Sequence, residues 1–257
     1  MILLFYKMHL LGNDFVIVNN VTNNFLLDAE KIKLISNRHF GVGCDQLLVL
    51  QPPSDENHDF DYFIYNSDGS ESGQCGNGTL CISKLISLEK LHQSKNIKLK
   101  TKTTTVHIQN DTVNLGKYNI EDKFSIILDD MLLDAYKISL GNPHIIIFLD
   151  NTNYNITDNL INFIDKELIK NNNISFVRHD DNNINIRTYE RGVGLTFACG
   201  SASCAASIAC FDKYELSTNK FEVFFKYGSV CTEVDQVNNT VFLSGDPKCV
   251  FNGRMIL

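Results

Sequence analysis

Two cysteine-containing turns of similar sequence lie in the two halves of the chain. Residues 74–81 have the sequence QCGNGTLC, and residues 198–204 have the sequence ACGSASC. In each turn a cysteine, Cys75 or Cys199, precedes a glycine and then a stretch that can form a helix. Two thiols on such turns suit a reaction that needs one acid and one base of the same chemical type. The pattern therefore predicts two thiols that face each other across a pseudo-symmetric cleft.

The start of a helix is a favourable place for negative charge. Its first backbone N–H groups lack partners within the helix, and the positive end of the helix dipole lies there. We therefore expect the pKa of each cysteine to fall from about 8.5 towards neutrality. The amides that follow each cysteine are predicted to hold a substrate carboxylate. These amides belong to Gly76 and Asn77 in the first turn, and to Gly200 and Ser201 in the second.

A cleft with a thiolate on one side and a thiol on the other could invert a carbon centre without a cofactor. The segment 40–46, FGVGCDQ, is the nearest approach to a dinucleotide-binding motif, but it lacks the third glycine and leads into a strand. We therefore predict no cofactor and no metal. The rival interpretation is a zinc site, whose ligands usually follow a shorter Cys-x₂₋₄-Cys spacing; its ligands would be Cys75, Cys81, Cys199 and Cys204.

The composition is that of an ordinary globular protein. The 257 residues are 44% hydrophobic and 21% charged. The formal net charge is −7, which argues against a nucleic-acid partner because phosphate binding needs concentrated positive charge. The apolar N-terminus is too short to span a bilayer and does not have the residue order of a secretory signal. We expect a cytoplasmic protein with no membrane partner, whose cysteines are reduced thiols.

The order of elements repeats along the chain. A Leu-Gly-Asn turn leads into a β-branched strand at residues 11–18 and again at residues 140–148. The dipeptide 65–66 precedes the first cysteine at the same spacing as the dipeptide 189–190 precedes the second. We interpret this order as a duplicated α+β domain.

The two predicted domains follow from this repeat. The first covers residues 1–118 and the second covers residues 119–249, with a crossover at 115–118. The final strand, at 250–257, is expected to return to the first domain. The polar stretch 150–159 is predicted to be a loop inside the second domain.

A longer set of motifs occurs in order along the chain. The motifs are GNDF at 12–15, GVGCDQ at 41–46, NSDGSE at 66–71, CGNG at 75–78, GNPH at 141–144, NISFV at 173–177, YERGVG at 189–194 and ACGS at 198–201. The whole set resembles the diaminopimelate epimerase family. The resemblance implies a fold of two pseudo-symmetric homologous domains with the active site in the cleft between them. It also implies an isomerase that interconverts LL- and meso-diaminopimelate without pyridoxal phosphate, in lysine and peptidoglycan precursor synthesis.

The resemblance also implies roles for individual residues. Cys75 and Cys199 would be the acid and base, and His144 and Glu190 would tune their protonation. Arg191 is suited to bind the distal carboxylate through a bidentate pair. The implied substrate-binding positions can donate and accept hydrogen bonds; they are Asn13, Gln46, Asn66, Asn142, Asn173, Glu190 and Arg191, with the amides of Gly76, Asn77, Gly200 and Ser201.

The sequence is also compatible with other functions. The closest is another cofactor-independent racemase of the same fold, acting on proline, hydroxyproline or histidine. A non-catalytic isomerase-like or metal-binding module is the alternative from a different class. Separate alternatives concern single residues: a purely structural role for His144, and a surface ion pair formed by Glu190 and Arg191. The expected partner is a small amino-acid substrate, and a homodimer is left open.

Overall fold

A computed structural model describes residues 2–128, 130–150, 152 and 158–257. Most of the loop predicted at 150–159 lies outside these residues. The chain divides into two compact units, which we call unit 1 and unit 2. Unit 1 consists of Met1–Asn114 and Asp246–Leu257, and unit 2 of Leu115–Gly245.

The elements are mainly strands, with one long helix in each unit. In chain order they are β1 (Ile2–Leu10), β2 (Asn13–Asn19), α1 (Ala29–Ser36), β3 (Gln46–Gln51), β4 (Phe60–Asn66), β5 (Glu71–Ser72), α2 (Gly76–Leu88), β6 (Asn96–Lys100), β7 (Thr105–Gln109), β8 (Thr112–Lys117), β9 (Asn119–Leu128), β10 (Met131–Ser139), β11 (Pro143–Phe148), a 3₁₀ helix (Asp158–Phe163), α3 (Lys166–Asn171), β12 (Asn173–Asp180), β13 (Asn183–Glu190), β14 (Gly194–Leu195), α4 (Gly200–Tyr214), β15 (Lys220–Phe225), β16 (Gly228–Asp235), β17 (Thr240–Ser244) and β18 (Lys248–Ile256).

The core of unit 1 forms around α2. This helix is buried at nearly every position from Asn77 to Ile86. A helix that is apolar on nearly all sides belongs in a protein interior, and α2 packs against β1, β2 and β3. Strand β1 pairs antiparallel with both β2 and β18. The last strand of the chain therefore lies in the sheet of unit 1.

The core of unit 2 forms around α4 in the same way. The buried residues of α4 are small (glycine, alanine, serine and cysteine) apart from Ile208. Small side chains let strands approach the helix closely, and α4 packs against β10 to β13 and β15 to β17. Strands β11 and β12 are parallel, and β13 runs antiparallel to β12.

The strand register places polar residues of unit 1 side by side. Strands β2 and β3 are parallel, and Phe15 lies opposite Gln46. Strands β3 and β4 are antiparallel, and Gln46 lies opposite Asn66. Three consecutive strands thus bring Phe15, Gln46 and Asn66 into one row.

Unit 2 repeats this register. His144 on β11 lies opposite Asn173 on β12. Ile174 lies opposite Tyr189 across β12 and β13, so the next pair outward is Asn173 and Glu190. The second row therefore has the same layout as the first, with histidine in place of phenylalanine and glutamate in place of asparagine.

Candidate active site

Each unit presents a cysteine at the start of its central helix. Cys75 is the N-cap of α2 and Cys199 is the N-cap of α4, both with extended backbone conformations. The backbone N–H of Gly78 donates to Cys75 Sγ at 3.3 Å. Both helices therefore begin directly after the cysteines, as the sequence predicts. Gly76 and Asn77, and Gly200 and Ser201, are the first residues of the two helices.

The expectation of a lowered thiol pKa is wrong for Cys199. Burial raises the pKa of Cys199 well above its ordinary value, and the nearby Glu190 carboxylate raises it further. The contacts of the thiol with Ser201 and with the amide of Ala202 lower the pKa without reversing the shift. Loss of hydration outweighs the helix terminus here, because a buried charged form loses more than the helix dipole returns. Cys199 is therefore a protonated thiol in the free protein at neutral pH.

In unit 1, two predicted substrate-binding asparagines form a chain of hydrogen bonds. Asn77 Nδ2 donates to Asn13 Oδ1 at 3.1 Å, and Asn13 Nδ2 donates to Asp45 Oδ2 at 3.0 Å. Asn13 is therefore held between the first turn of α2 and a carboxylate. Asp45 has no role among the sequence-based predictions, although it directly precedes Gln46 in one of the motifs.

A charged cluster lies behind this chain. Arg38 donates two hydrogen bonds to the Asp14 carboxylate, at 2.7 and 3.0 Å, and a third to Asp45 at 2.8 Å. Lys7 also donates to Asp14. Burial alone would raise the pKa of Asp14, but Arg38 and Lys7 outweigh it and lower the pKa to about 2. The cluster keeps the Asp14 carboxylate ionised, and its contacts with Asp14 and Asp45 fix the turn that carries Asn13.

The other predicted polar residues of unit 1 are also connected. Gln46 Nε2 donates to Asn66 Oδ1 at 3.0 Å, and Asn66 Nδ2 donates to Ser70 Oγ at 3.0 Å. Asn66 accepts through its oxygen and donates through its nitrogen, so these two contacts fix the orientation of its side-chain amide. Gln46 and Asn66 are partly exposed, so each can also reach a ligand.

Tyr62 lies against the first turn of α2 and was missed in the sequence. A Cβ atom added at Gly78 would lie 2.7 Å from Tyr62 Oη and 3.4 Å from Cys75 Sγ. The hydroxyl of Tyr62 is fully buried, and burial raises its pKa well above the ordinary value. Gly78 is therefore needed to let α2 begin so close to this ring.

In unit 2, four side chains form a continuous chain that ends on the thiol. His144 Nε2 lies 3.2 Å from Asn142 Oδ1. Asn142 Nδ2 donates to Ser201 Oγ at 3.4 Å, and Ser201 Oγ lies 3.4 Å from Cys199 Sγ. His144 is completely buried, and burial lowers its pKa to about 3. It is a neutral imidazole at physiological pH.

Asn173 connects the row of polar residues to Arg191. Asn173 Nδ2 donates to the Pro143 carbonyl at 3.1 Å, and Asn173 Oδ1 accepts from the Arg191 backbone N–H at 3.0 Å. The Arg191 side chain is exposed, and its guanidinium reaches the Asn171 carbonyl at 3.4 Å. The charged head of Arg191 is thus accessible from solvent.

The remaining cysteines are divided between core and surface. Cys81 and Cys204 are buried on the two central helices, as expected, and every cysteine is a free thiol. In the part of the chain that the structure describes, no group of three or more His, Cys, Asp or Glu residues could hold a metal ion. No helix among the described residues is both long enough and apolar enough to cross a membrane.

Comparison with known proteins identifies the family. A model of the family described as diaminopimelate epimerase matches residues 5–121 and 136–250. The chain belongs to the diaminopimelate epimerase family. It is 36% identical to the diaminopimelate epimerase of Blochmanniella pennsylvanica, over 98% of this chain and 99% of that protein. It is 35% identical to the diaminopimelate epimerase of Vesicomyosocius okutanii, over 99% of both chains.

Solved structures with lower identity have the same fold. A Bacillus anthracis phenazine biosynthesis protein of the PhzF family has a TM-score of 0.75, with 16% identity over 100% of both chains. A hydroxyproline epimerase from Agrobacterium vitis has a TM-score of 0.67, with 11% identity over 98% of this chain and 92% of that one. The predicted α+β fold of two repeated halves, and membership of the diaminopimelate epimerase family, are confirmed.

Proposed function

We propose that this protein is an isomerase that interconverts LL- and meso-diaminopimelate. One structural observation carries the proposal: Cys75 and Cys199 each cap the central helix of a unit, at equivalent positions of a duplicated fold. The proposal is supported by family relatives named diaminopimelate epimerase at 35–37% identity. We further propose that units 1 and 2 are the two halves of the epimerase.

In the proposed reaction the two cysteines exchange one proton each with the substrate. One thiolate removes the α-proton, and the C–H electron pair stays on the α-carbon, next to the carboxylate. The opposite thiol then donates its proton to the other face of that carbon. The carbon is inverted, the thiol and thiolate have exchanged states, and no electron or cofactor is consumed. Cys75 and Cys199 must reach opposite faces of the same carbon for this to work.

The raised pKa of Cys199 requires a neighbouring base when this residue acts as the thiolate. Glu190 is the nearby carboxylate that raises the pKa of the thiol, so we assign it the role of accepting the Cys199 proton. In unit 1 the matching position is Asn66, which cannot take a proton at neutral pH. We infer that the two thiols are activated differently, in agreement with a reaction that needs one acid and one base.

The substrate has an amino-acid group at each end, and the site offers matching partners. We propose that the first amides of α2 and α4 hold the reacting carboxylate, because helix N-termini favour anions. Arg191 would bind the distal carboxylate through its exposed guanidinium. The asparagine and glutamine side chains would order the ammonium groups. A site with these partners would reject amino acids that lack the second end, because its polar groups would stay unpaired.

This assignment places the enzyme in lysine and peptidoglycan precursor synthesis, and we propose a cytoplasmic location. The alternative racemases of proline, hydroxyproline or histidine are not favoured. The solved hydroxyproline epimerase and the probable proline racemase among the structural neighbours are only 11% and 12% identical to this chain. That likeness supports the fold and gives no information about the substrate.

The test is isotope exchange with LL-diaminopimelate in D₂O. The enzyme should place deuterium at one α-carbon and form the meso isomer. Cys75→Ser and Cys199→Ser should each lower the rate by at least about a hundredfold, because proton transfer by a positioned group contributes about 10²–10⁴-fold. Cys249→Ser in unit 1 and Cys231→Ser in unit 2 are the matched controls, since both cysteines are exposed, and they should retain activity.

Two results would contradict the proposal. Deuterium uptake with proline or histidine, and none with diaminopimelate, would move the substrate to the alternative class. Full activity in the double variant Cys75→Ser/Cys199→Ser would remove the two-thiol mechanism even if the substrate were correct.

A further inference from the structure

The chain of contacts that ends on Cys199 begins at a histidine with an unusual environment. His144 is completely buried, and its Nδ1 atom has no hydrogen-bond partner among the described residues. Its other ring nitrogen, Nε2, lies 3.2 Å from Asn142 Oδ1. The position of the hydrogen on this ring determines the direction of every later hydrogen bond in the chain.

The tautomer follows from the cost of burying unpaired polar atoms. A neutral imidazole carries its hydrogen on one nitrogen and a lone pair on the other. An orphaned buried N–H is rarer and costlier than an acceptor that lacks one partner. The hydrogen is therefore on Nε2 and the unpaired nitrogen, Nδ1, carries the lone pair. His144 donates to the oxygen of Asn142.

The remaining directions follow one from another. Because its oxygen accepts from His144, Asn142 presents its amide hydrogens to Ser201, with Nδ2 3.4 Å from Ser201 Oγ. The serine oxygen accepts that bond, so its single hydrogen is left for its other neighbour. That neighbour is Cys199 Sγ, at 3.4 Å.

We propose that Ser201 is a positioning residue whose hydroxyl donates a hydrogen bond to Cys199 Sγ, in a direction set by His144 through Asn142. The sulfur is then an acceptor on its Ser201 side, and its own hydrogen points towards Glu190. When Glu190 takes that proton, the thiolate already has a donor in place. A hydrogen bond to the charged form favours that form.

The groups packed against Cys199 have opposite effects on the stability of its thiolate. Glu190, at the end of β13, brings a negative charge that opposes the thiolate. Ser201 and the amide of Ala202, both in the first turn of α4, support the thiolate. Of these three groups, Ser201 is the side chain whose removal would lower thiolate stability and leave the proposed base in place.

Two serines of α4 offer a matched comparison. Ser203 Oγ donates to the backbone carbonyl of Cys199 at 3.0 Å, whereas Ser201 contacts the sulfur. Ser201→Ala therefore removes the bond to the thiol, and Ser203→Ala removes a bond of the same kind to the same residue's backbone. Ser201→Thr keeps the hydroxyl, and Ser201→Val has nearly the same shape as threonine without it.

The experiment measures the rate of Cys199 alkylation by iodoacetamide against pH, with mass spectrometry of the Cys199 peptide. Hydrogen bonds to charged groups contribute enough to change an equilibrium about tenfold or more. At about pH 9, Ser201→Ala should therefore slow alkylation about tenfold, with the pKa of Cys199 raised by about one unit. Ser201→Thr should restore the rate, and Ser203→Ala should leave it unchanged.

Either of two results in Ser201→Ala would overturn the proposal. A faster rate would mean that the serine accepts a hydrogen from the thiol, and an unchanged rate would mean that the serine hydroxyl does not stabilise the thiolate. If Ser201→Ala does not fold, the Ser201→Thr and Ser201→Val pair makes the same comparison, with slower alkylation expected only for valine. The proposal rests on the proposed function only for the role of Cys199 in proton transfer. Alkylation needs no turnover, so a wild-type protein that fails to epimerise diaminopimelate would contradict the function and leave this test intact.

Discussion

Asn13 and Asn142 occupy the same place in the two repeated units, yet their side-chain amides are oriented in opposite senses. Asn13 accepts a hydrogen bond from Asn77, at the start of α2, and donates to the Asp45 carboxylate. Asn142 donates to Ser201, at the start of α4. The hydrogen-bond chain therefore runs away from the helix start in unit 1 and towards it in unit 2.

The reversal has a simple chemical cause. The oxygen of Asp45 accepts the hydrogen bond in unit 1, so the amide nitrogen of Asn13 must face it. A buried imidazole with its hydrogen on Nε2 can donate, so the oxygen of Asn142 faces His144. Duplication has thus kept the asparagine and changed the group behind it. The two thiols acquire different surroundings from residues that do not contact them.

The Asp45 carboxylate is expected to hold Asn13 in its substrate-binding orientation. In Asp45→Ala the Asn13 amide loses its acceptor and can turn, so KM for diaminopimelate should rise about tenfold, the cost of one lost hydrogen bond to a charged group. The effect on kcat should be smaller, because Asp45 lies outside the proton-transfer step. Steady-state kinetics with separate KM and kcat values measure both.

Asp45→Asn is the control for this change. Asparagine keeps an oxygen that can accept from Asn13, so KM should stay within about threefold of the wild type. Equal KM values in the alanine and wild-type enzymes would show that Arg38 and Asp14 alone hold the turn.

Glu190→Gln should separate thiol ionisation from catalysis. Removing the negative charge lowers the pKa of Cys199, because Glu190 raises that pKa in the wild-type protein. Alkylation of Cys199 at a fixed pH should therefore be severalfold faster. Turnover should nevertheless fall by about a hundredfold or more, since the proposed base is gone. Faster alkylation with undiminished turnover would exclude Glu190 as the base.

Glu233→Gln is the matched control for the Glu190 variant. Glu233 lies on another strand of unit 2 and forms a half-exposed ion pair with Lys220. Exposed pairs of this kind contribute little to stability. Neither the alkylation of Cys199 nor turnover should change in this variant.

Gly78→Ala should destabilise unit 1 in spite of the higher helix propensity of alanine. Alanine is favoured over glycine in a helix by about 1 kcal/mol. The new Cβ would, however, lie 2.7 Å from Tyr62 Oη and 3.2 Å from Leu48 Cδ1. Overpacking of this kind costs about 1–3 kcal/mol, so the free energy of unfolding, measured in urea, should fall.

The Tyr62→Phe change tests the cause of that loss. Without the hydroxyl, the closest obstacle to the alanine methyl is removed, so Gly78→Ala should cost less in the Tyr62→Phe background. A double-mutant cycle gives the coupling between the two positions. A coupling of zero would attribute the loss to Leu48 or to the backbone.

Much of the fold could be predicted from the sequence because it depends on local patterns. A cysteine, a glycine and an apolar helical run mark the starts of α2 and α4, and the structure has both helices there. Repeated Leu-Gly-Asn turns and β-branched runs predict β2 and β11 for the same reason. The order of motifs then places equivalent residues in equivalent strands.

The properties that the sequence does not reveal depend on partners distant along the chain. Cys199 has the expected helix N-terminus, but its pKa is dominated by burial, which follows from how the strands pack around α4. The orientations of Asn13 and Asn142 depend on Asp45 and on the tautomer of His144. Identical residue types in similar motifs therefore carry no information about the direction of their hydrogen bonds.

The buried His144 should make stability depend on pH in mildly acidic solution. Its pKa is about 3 in the folded protein and about 6.5 when unfolded, so the unfolded state binds more protons between these values. The contribution of His144 to stability is fully present above about pH 7.5 and is lost as the pH falls through 6.5 towards 3, by up to about 1.4 kcal/mol per pH unit. Urea unfolding at several pH values between 7.5 and 5 measures this slope.

His144→Phe is the control that the fold itself provides, because Phe15 stands at the equivalent position of unit 1. Phenylalanine does not titrate, whereas all other groups, including the Asp14 cluster, are shared by the two proteins. The difference in unfolding free energy between wild type and His144→Phe should therefore be constant above about pH 7.5. On acidification the wild type should lose stability relative to the variant, by about 1 kcal/mol between pH 6 and 5. A difference that stays constant over the whole range would mean that His144 is protonated equally in the folded and unfolded states. That result would also contradict the assignment of His144 as a neutral imidazole that donates to Asn142.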